Sequence, residues 1–116
     1  MGVTRIVANL KAPDPMALAK FYKEVFELDL RFDMGWIVFL NNKDATQKIE
    51  LHTASQGGCG TELPVISIGV EDLDATESAV RGAGAEVVYG PTKEAWGLRR
   101  FFFRDPAGNL VNVVDS

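Results

Sequence analysis

The sequence predicts an α+β domain built from two tandem βαβββ modules. Three observations carry this. A strand, a helix and three further strands can be read twice along the chain, in the same order. The two helix-capping residues, Asp14 and Asp72, lie 58 positions apart (72 less 14), half of the 116-residue chain. The strands before these caps share an apolar alternation, Ile6, Ala8 and Leu10 in the first and Ile66, Ile68 and Val70 in the second.

The first strand spans Thr4 to Leu10, with Arg5, Val7 and Asn9 on the face opposite the apolar one. Pro13-Asp14-Pro15 ends it and starts a helix. Asp14 suits the N-cap because its carboxylate accepts from orphan N–H groups, and Pro15 suits the first helical position, where no N–H is needed. Leu18, Phe21, Tyr22 and Val25 recur at helical spacing and predict the inward face. Leu30 to Asp33, Trp36 to Leu40 and Gln47 to Thr53 read as three strands, joined by turns at Met34-Gly35 and Asn41 to Thr46. In the last of them Ile49 and Leu51 face one way, and Lys48, Glu50 and His52 the other.

Ala54 to Glu62 is rich in Gly, Ser and Thr and is expected to be a flexible connector. The pattern then repeats. Pro64 to Val70 is a strand with Val65, Ser67 and Gly69 opposite its apolar face. Asp72 caps a helix with apolar positions at Leu73, Thr76, Val80 and Ala83, which Gly82 and Gly84 end. Glu86 to Tyr89, Leu98 to Arg104 and Leu110 to Val114 complete the module, the last two joined by the turn Asp105-Pro106-Ala107-Gly108-Asn109. The modules thus cover about residues 1–53 and 64–116 of a single domain, 1–116, with a connector at about 54–63.

Composition narrows the classes. A hydrophobic share of 47% with 24% charged residues is that of a soluble globular protein. The formal net charge of -4 and the lack of a basic stripe argue against nucleic acid as partner. Apolar stretches are too short for a membrane span, for which about 20 residues are needed. The single cysteine, Cys59, allows no intrachain disulfide, and no basic-then-apolar leader is evident, so a cytoplasmic protein is expected. Cys59 has no nearby base and is not expected to be reactive.

Several segments resemble the vicinal-oxygen-chelate family, which includes glyoxalase I, bleomycin-resistance proteins and extradiol dioxygenases. Asp14, Phe21-Tyr22, Val25 and Leu28 look like that family's first helix signature, although Phe26-Glu27-Leu28 departs from its leucine-glycine-leucine at the glycine. Val70-Glu71-Asp72-Leu73-Asp74 opens the second module in the same style. Trp96-Gly97-Leu98-Arg99 leading to Asp105-Pro106-Ala107-Gly108-Asn109 resembles the bleomycin-resistance branch most specifically. The resemblance implies the glyoxalase/bleomycin resistance/dihydroxybiphenyl dioxygenase fold, a curved mixed sheet with a concave cleft, and a homodimer.

It also implies where a metal would sit in metal-dependent members, with one ligand on each of four strands. Carried over position by position, these fall on Val7, Glu50, Val65 and Asn112. Only Glu50 is a competent ligand, because valine cannot ligate and a neutral amide binds Zn, Ni or Fe poorly. No metal or other cofactor is therefore expected, the alternative being a divalent metal at Glu50 and His52. His52 shares a strand face with Glu50 and is either a general base or a hydrogen-bonded structural residue.

The remaining candidates are ligand-binding. Glu50 is either a cleft carboxylate or the partner of Arg5 or Arg99. Arg99 and Arg100 point to opposite faces of one strand, and the family resemblance favours Arg99 for the cleft. Asn9, Ser67 and Asn112 share inward faces, where amides and hydroxyls need partners. Trp96 lies in a loop, while Trp36 and the Phe101 to Phe103 run read either as core or as an aromatic wall. The expected function is metal-independent binding of a small organic molecule, of the resistance or sequestration type. The alternative is a glyoxalase-like lyase or isomerase using Glu50 and possibly His52 as base; a third reading is an interaction module with a vestigial cleft.

Overall fold

The computed structural model describes residues 2–43 and 48–115. The expected beginning of the fourth strand at Gln47, and the Asp44 to Thr46 part of the turn before it, lie outside these residues. The elements run β1 (Val3–Lys11), α1 (Pro15–Phe26), β2 (Asp29–Asp33), β3 (Ile37–Asn41), β4 (Glu50–Ala54), β5 (Ile66–Val70), α2 (Leu73–Gly82), β6 (Glu86–Lys93), β7 (Arg99–Arg104) and β8 (Leu110–Asp115). This is the predicted α+β order, βαβββ twice.

The chain divides into two compact units, Val7–Leu63 and Met1–Ile6 with Pro64–Ser116. The start of β1 therefore groups with the second module. In the first unit the strands lie in the order β2-β3-β4-β1, and β1 runs parallel to β4 while the others pair antiparallel. In the second they lie in the order β6-β7-β8-β5, with β5 parallel to β8. The duplication read from the sequence is thus a duplication of topology.

Both helices start as their caps dictate. The Asp14 carboxylate accepts from Ala17 N at 3.2 Å, and Asp72 accepts from Ala75 N at 3.0 Å. Thr53 Oγ1 donates to the Pro15 carbonyl at 2.8 Å and ties the start of α1 to β4.

The inward face of α1 is only partly the expected one, since Tyr22 packs inward but Phe21 and Val25 do not. Buried Ala19 packs with Val38 and Leu40, and Met16, Tyr22, Leu28 and Leu51 complete the cluster. Phe21 and Val25 stand 54% exposed. Small Ala19 lets the helix axis approach the sheet, and that contact turns Phe21 and Val25 outward. In the second unit, Val70, Leu73, Phe101 and Val113 form the core, with Val80 and Phe103 against it.

Helix α1 ends on Glu27, whose φ of 55° and ψ of 43° are left-handed. This is the position where the family signature carries glycine, and a β-carbon there is strained. Helix α2 ends without that strain, because Ala83 stays right-handed and Gly84 takes the φ of 86°.

Two further expectations change. Strand β6 continues past Tyr89 to Lys93. Its ladder with β7 shifts register twice and then resumes at Thr92 opposite Arg100. The connector is an ordered turn: Gly57 N donates to Thr61 O, Thr61 Oγ1 to Gly58 O and Gly60 N to Gln56 Oε1, at 2.9, 2.7 and 2.7 Å. Side-chain partners inside the segment give its backbone what a flexible linker would take from water. Ala54 belongs to β4 and is fully buried.

Candidate functional site

The parallel β1–β4 pairing places Asn9 opposite His52, on the face away from α1. His52 is buried, and its Nδ1 lies 3.0 Å from Asn9 Oδ1. Its Nε2 lies 3.0 Å from Glu50 Oε2. The Phe39 ring stacks on the imidazole at a centroid distance of 4.0 Å and an interplanar angle of 13°. His52 is held on three sides, while the Glu50 side chain remains 26% exposed.

The equivalent pairing in the second unit places Ser67 opposite Asn112. Asn112 Nδ2 donates to Ser67 Oγ at 3.0 Å. Phe102 is the other cross-strand neighbour of Asn112, and Tyr89 is that of Phe102. The four side chains form one row across the sheet. Asn112 Oδ1 is buried and has no hydrogen-bond partner among the described residues.

Next to this row is a buried ion pair. Arg100 Nε donates to Glu94 Oε2 at 2.8 Å, and Nη2 also meets that carboxylate. Both side chains are about 95% buried, at 6% and 5% exposure. Tyr89 Oη donates to both Glu94 oxygens, at 3.0 and 3.1 Å. The rings of Tyr89, Trp96 and Phe102 surround the guanidinium, with centroids 5.4, 4.9 and 4.7 Å from Cζ. Burial first, and the bond to Glu94 second, push the Tyr89 phenol above its ordinary range.

The structure corrects the choice between the two arginines. Arg99 Nη2 donates to Asp74 on α2 at 3.0 Å, so Arg99 lies on the helix side of β7. Strand alternation then puts Arg100 on the face that carries Asn112 and Phe102. Phe101 belongs to the helix-side core and Phe102 to the opposite face, so the Phe run serves both. Trp96 lies in the β6–β7 turn, against Arg100. Arg5 falls in the second unit and is half-buried.

Directly opposite residues are Asn9 with His52 and Ser67 with Asn112; Val7 and Glu50 lie two residues before the first pair on the same strand faces, and Val65 two residues before Ser67. A parallel register depends on where two distant strands meet, which local alternation does not encode. Sequence reasoning missed Glu94, Tyr89 and Phe39. The bulged β6–β7 hairpin, which brings Glu94 back onto Arg100, left no local signal.

The first unit offers one imidazole and one carboxylate beside an amide; the second offers an amide and a hydroxyl. Among the described residues no group of three or more His, Cys, Asp or Glu side chains could hold a metal.

The model of the Glyoxalase/Bleomycin resistance protein/Dioxygenase superfamily matches residues 5–113, and the chain belongs to that superfamily. Solved structures share the fold at low identity. A protein named as NAD-dependent benzaldehyde dehydrogenase from Legionella pneumophila is 14% identical with a TM-score of 0.75, over 96% of this chain and 98% of that one. A superfamily member from Vibrio splendidus 12B01 is 15% identical at 0.67, over 99% and 100%. A methylmalonyl-CoA epimerase from Mycobacterium tuberculosis is 17% identical at 0.61, over 98% and 87%. No curated protein matches. Among the described residues no helix is long and apolar enough to cross a membrane.

Proposed function

We propose that the protein binds a small organic molecule on the sheet face carrying Ser67, Asn112, Phe102 and Trp96, without a resident metal, and that it does so as a cytoplasmic homodimer. The observation that supports this best is the character of the two equivalent strand pairs. They present amides, a hydroxyl and one imidazole, groups that hydrogen-bond an organic ligand well and grip a transition metal poorly. Phe102 and Tyr89 add a flat apolar surface in the same row. Isothermal titration against glycopeptide and aromatic antibiotics tests the sequestration form of this reading. Binding to at least one class, unchanged by a chelator, is expected; uniform silence contradicts it.

The 3.0 Å contact between Glu50 and His52 favours a second reading, a base-catalysed lyase or isomerase. Buried His52 would orient the partly exposed Glu50 carboxylate. Glu50 would then take a proton from carbon next to a carbonyl and return it at another position. Turnover of an α-hydroxy-carbonyl substrate that disappears in Glu50→Gln is the expected sign, and no turnover with or without added Zn, Ni, Mn or Fe sinks this reading.

A further inference from the structure

We infer that the hollow between the end of α2 and strands β6 and β7 is a second small-molecule site, one that takes an uncharged, largely hydrocarbon ligand. It lies on the helix side of the second unit's sheet and does not depend on the sheet-face site proposed above.

The hollow has a volume of about 660 Å³, within the range of about 300–1,000 Å³ usual for small-molecule sites. Ala79 and Val80 on α2, Ala83, Gly84 and Ala85 just after it, and Phe103 on β7 line it. All belong to the second unit. Phe103 packs with Val80 against the helix-side core, so the hollow is on the opposite side of the sheet from Phe102.

The first module shows what is missing. At the positions 58 residues earlier, Val80 corresponds to Tyr22 and Gly84 to Phe26. Tyr22 packs against the core of its module, and its ring stacks on Phe26 at 5.9 Å. Valine and glycine supply neither ring. A β-carbon at Gly84 would meet nothing within 4 Å. Two aromatic side chains are thus absent from a place that the fold otherwise repeats, and the space has stayed open. Water there finds few polar partners, and an apolar ligand restores the dispersion contacts that the rings would have made.

The charged groups at the hollow select a neutral ligand. Asp105 accepts from Ala107 N, Asn109 N and Asn109 Nδ2, at 3.0, 2.8 and 2.9 Å, and so is committed to its own turn. Arg104 donates to the Gly108 carbonyl and stands directly opposite Glu86 in the β6–β7 ladder. An added anion would meet two carboxylates, and an added cation would compete with Arg104 for Glu86.

N-phenyl-1-naphthylamine and 8-anilinonaphthalene-1-sulfonate share one ring system and differ by a sulfonate. Each is titrated into the isotope-labelled full chain while probe fluorescence and amide resonances are followed. The neutral probe is expected to bind about tenfold or more tightly than the anion. It should shift the backbone amides of Ala79, Ala83 and Ala85 and leave the Asn112 side-chain amide unmoved. Val80→Tyr introduces the first module's residue, and Ala79→Phe fills the hollow from an exposed helix position. Each should weaken the neutral probe about tenfold or more, with an unfolding midpoint at or above that of the unaltered protein. Should either variant fold poorly, the matched probes and the resonance shifts on the unaltered protein decide. No binding of the neutral probe, or equal binding of the two, overturns the inference. Shifts confined to Asn112 and its strand neighbours overturn it as well, while leaving the sheet-face site standing. Dissociation of a dimer as the neutral probe binds would show that a second copy fills the hollow, which also overturns it.

Discussion

The two modules repeat one topology and differ in how they settle its central polar pair. In the first, Asn9, His52 and Glu50 form a continuous hydrogen-bonded chain, sealed by Phe39. In the second, Ser67 and Asn112 bond to each other and leave an acceptor over, while a separate ion pair lies beside them. Duplication has preserved positions but not chemistry. The first module's network holds a carboxylate in place, and the second's lacks one donor. Buried polar networks are worth most when complete, so the difference yields opposite responses to mutation.

The largest effect is expected where the second module has buried charge. Arg100→Ala leaves Glu94 buried without its cation and should destabilise by about 3–5 kcal/mol in urea unfolding. The double variant Glu94→Gln with Arg100→Met should cost much less, because no charge is stranded. Equal losses in the two would show that packing, not charge, dominates there.

The contrast between the polar pairs comes next. His52→Leu strips partners from Asn9 and Glu50 and should cost about 1–3 kcal/mol. Asn112→Leu removes an already orphaned acceptor along with one hydrogen bond, so it should be near neutral or stabilising, measured by the same unfolding midpoint. A large loss at Asn112 would erase the distinction between the modules.

The helix ends give a smaller test. Glu27→Gly should raise stability by about 1 kcal/mol, since it relieves a left-handed residue that α2 avoids by using Gly84. The gain should appear in the thermal midpoint.

The smallest effects are in pH dependence. Bonds from the Asn109 side chain and backbone hold the Asp105 carboxyl below its ordinary value of 3.8. The stabilisation is present above that value and is lost as pH falls through the lower folded one, so Asp105→Ala should flatten the acid limb of a stability profile. Tyr89 has the opposite sign. Its phenol is raised above 10.0 in the fold, so stability should fall as pH rises beyond 10.0, and tyrosinate absorbance should lag until unfolding.

Much of the fold was legible because its signals are local. Asp14-Pro15 and Asp72 mark helix starts through their own side chains, and Gly84 marks a helix end by its φ. The inward face of α1 is legible at Tyr22 but not at Phe21 and Val25, which are more apolar than Ala19, because apolarity alone cannot show which residue's size permits close packing. Of the candidate site, His52 beside Glu50 and the inward Asn9, Ser67 and Asn112 follow from alternation. Their pairing does not, since parallel register joins strands 43 and 45 residues apart in sequence. The Glu94–Arg100–Tyr89 cluster was equally hidden, because bulges in β6 break the alternation that would have predicted it.

One measurement bears most directly on metal-free binding by the second module. Calorimetric titration of the glycopeptide and aromatic antibiotics is run on the chelator-treated protein, on the protein with added zinc, and on Asn112→Leu. The expected result is equal binding with and without zinc and a clear loss in the variant. Binding that appears only when zinc is added, and that survives in Asn112→Leu, would contradict it.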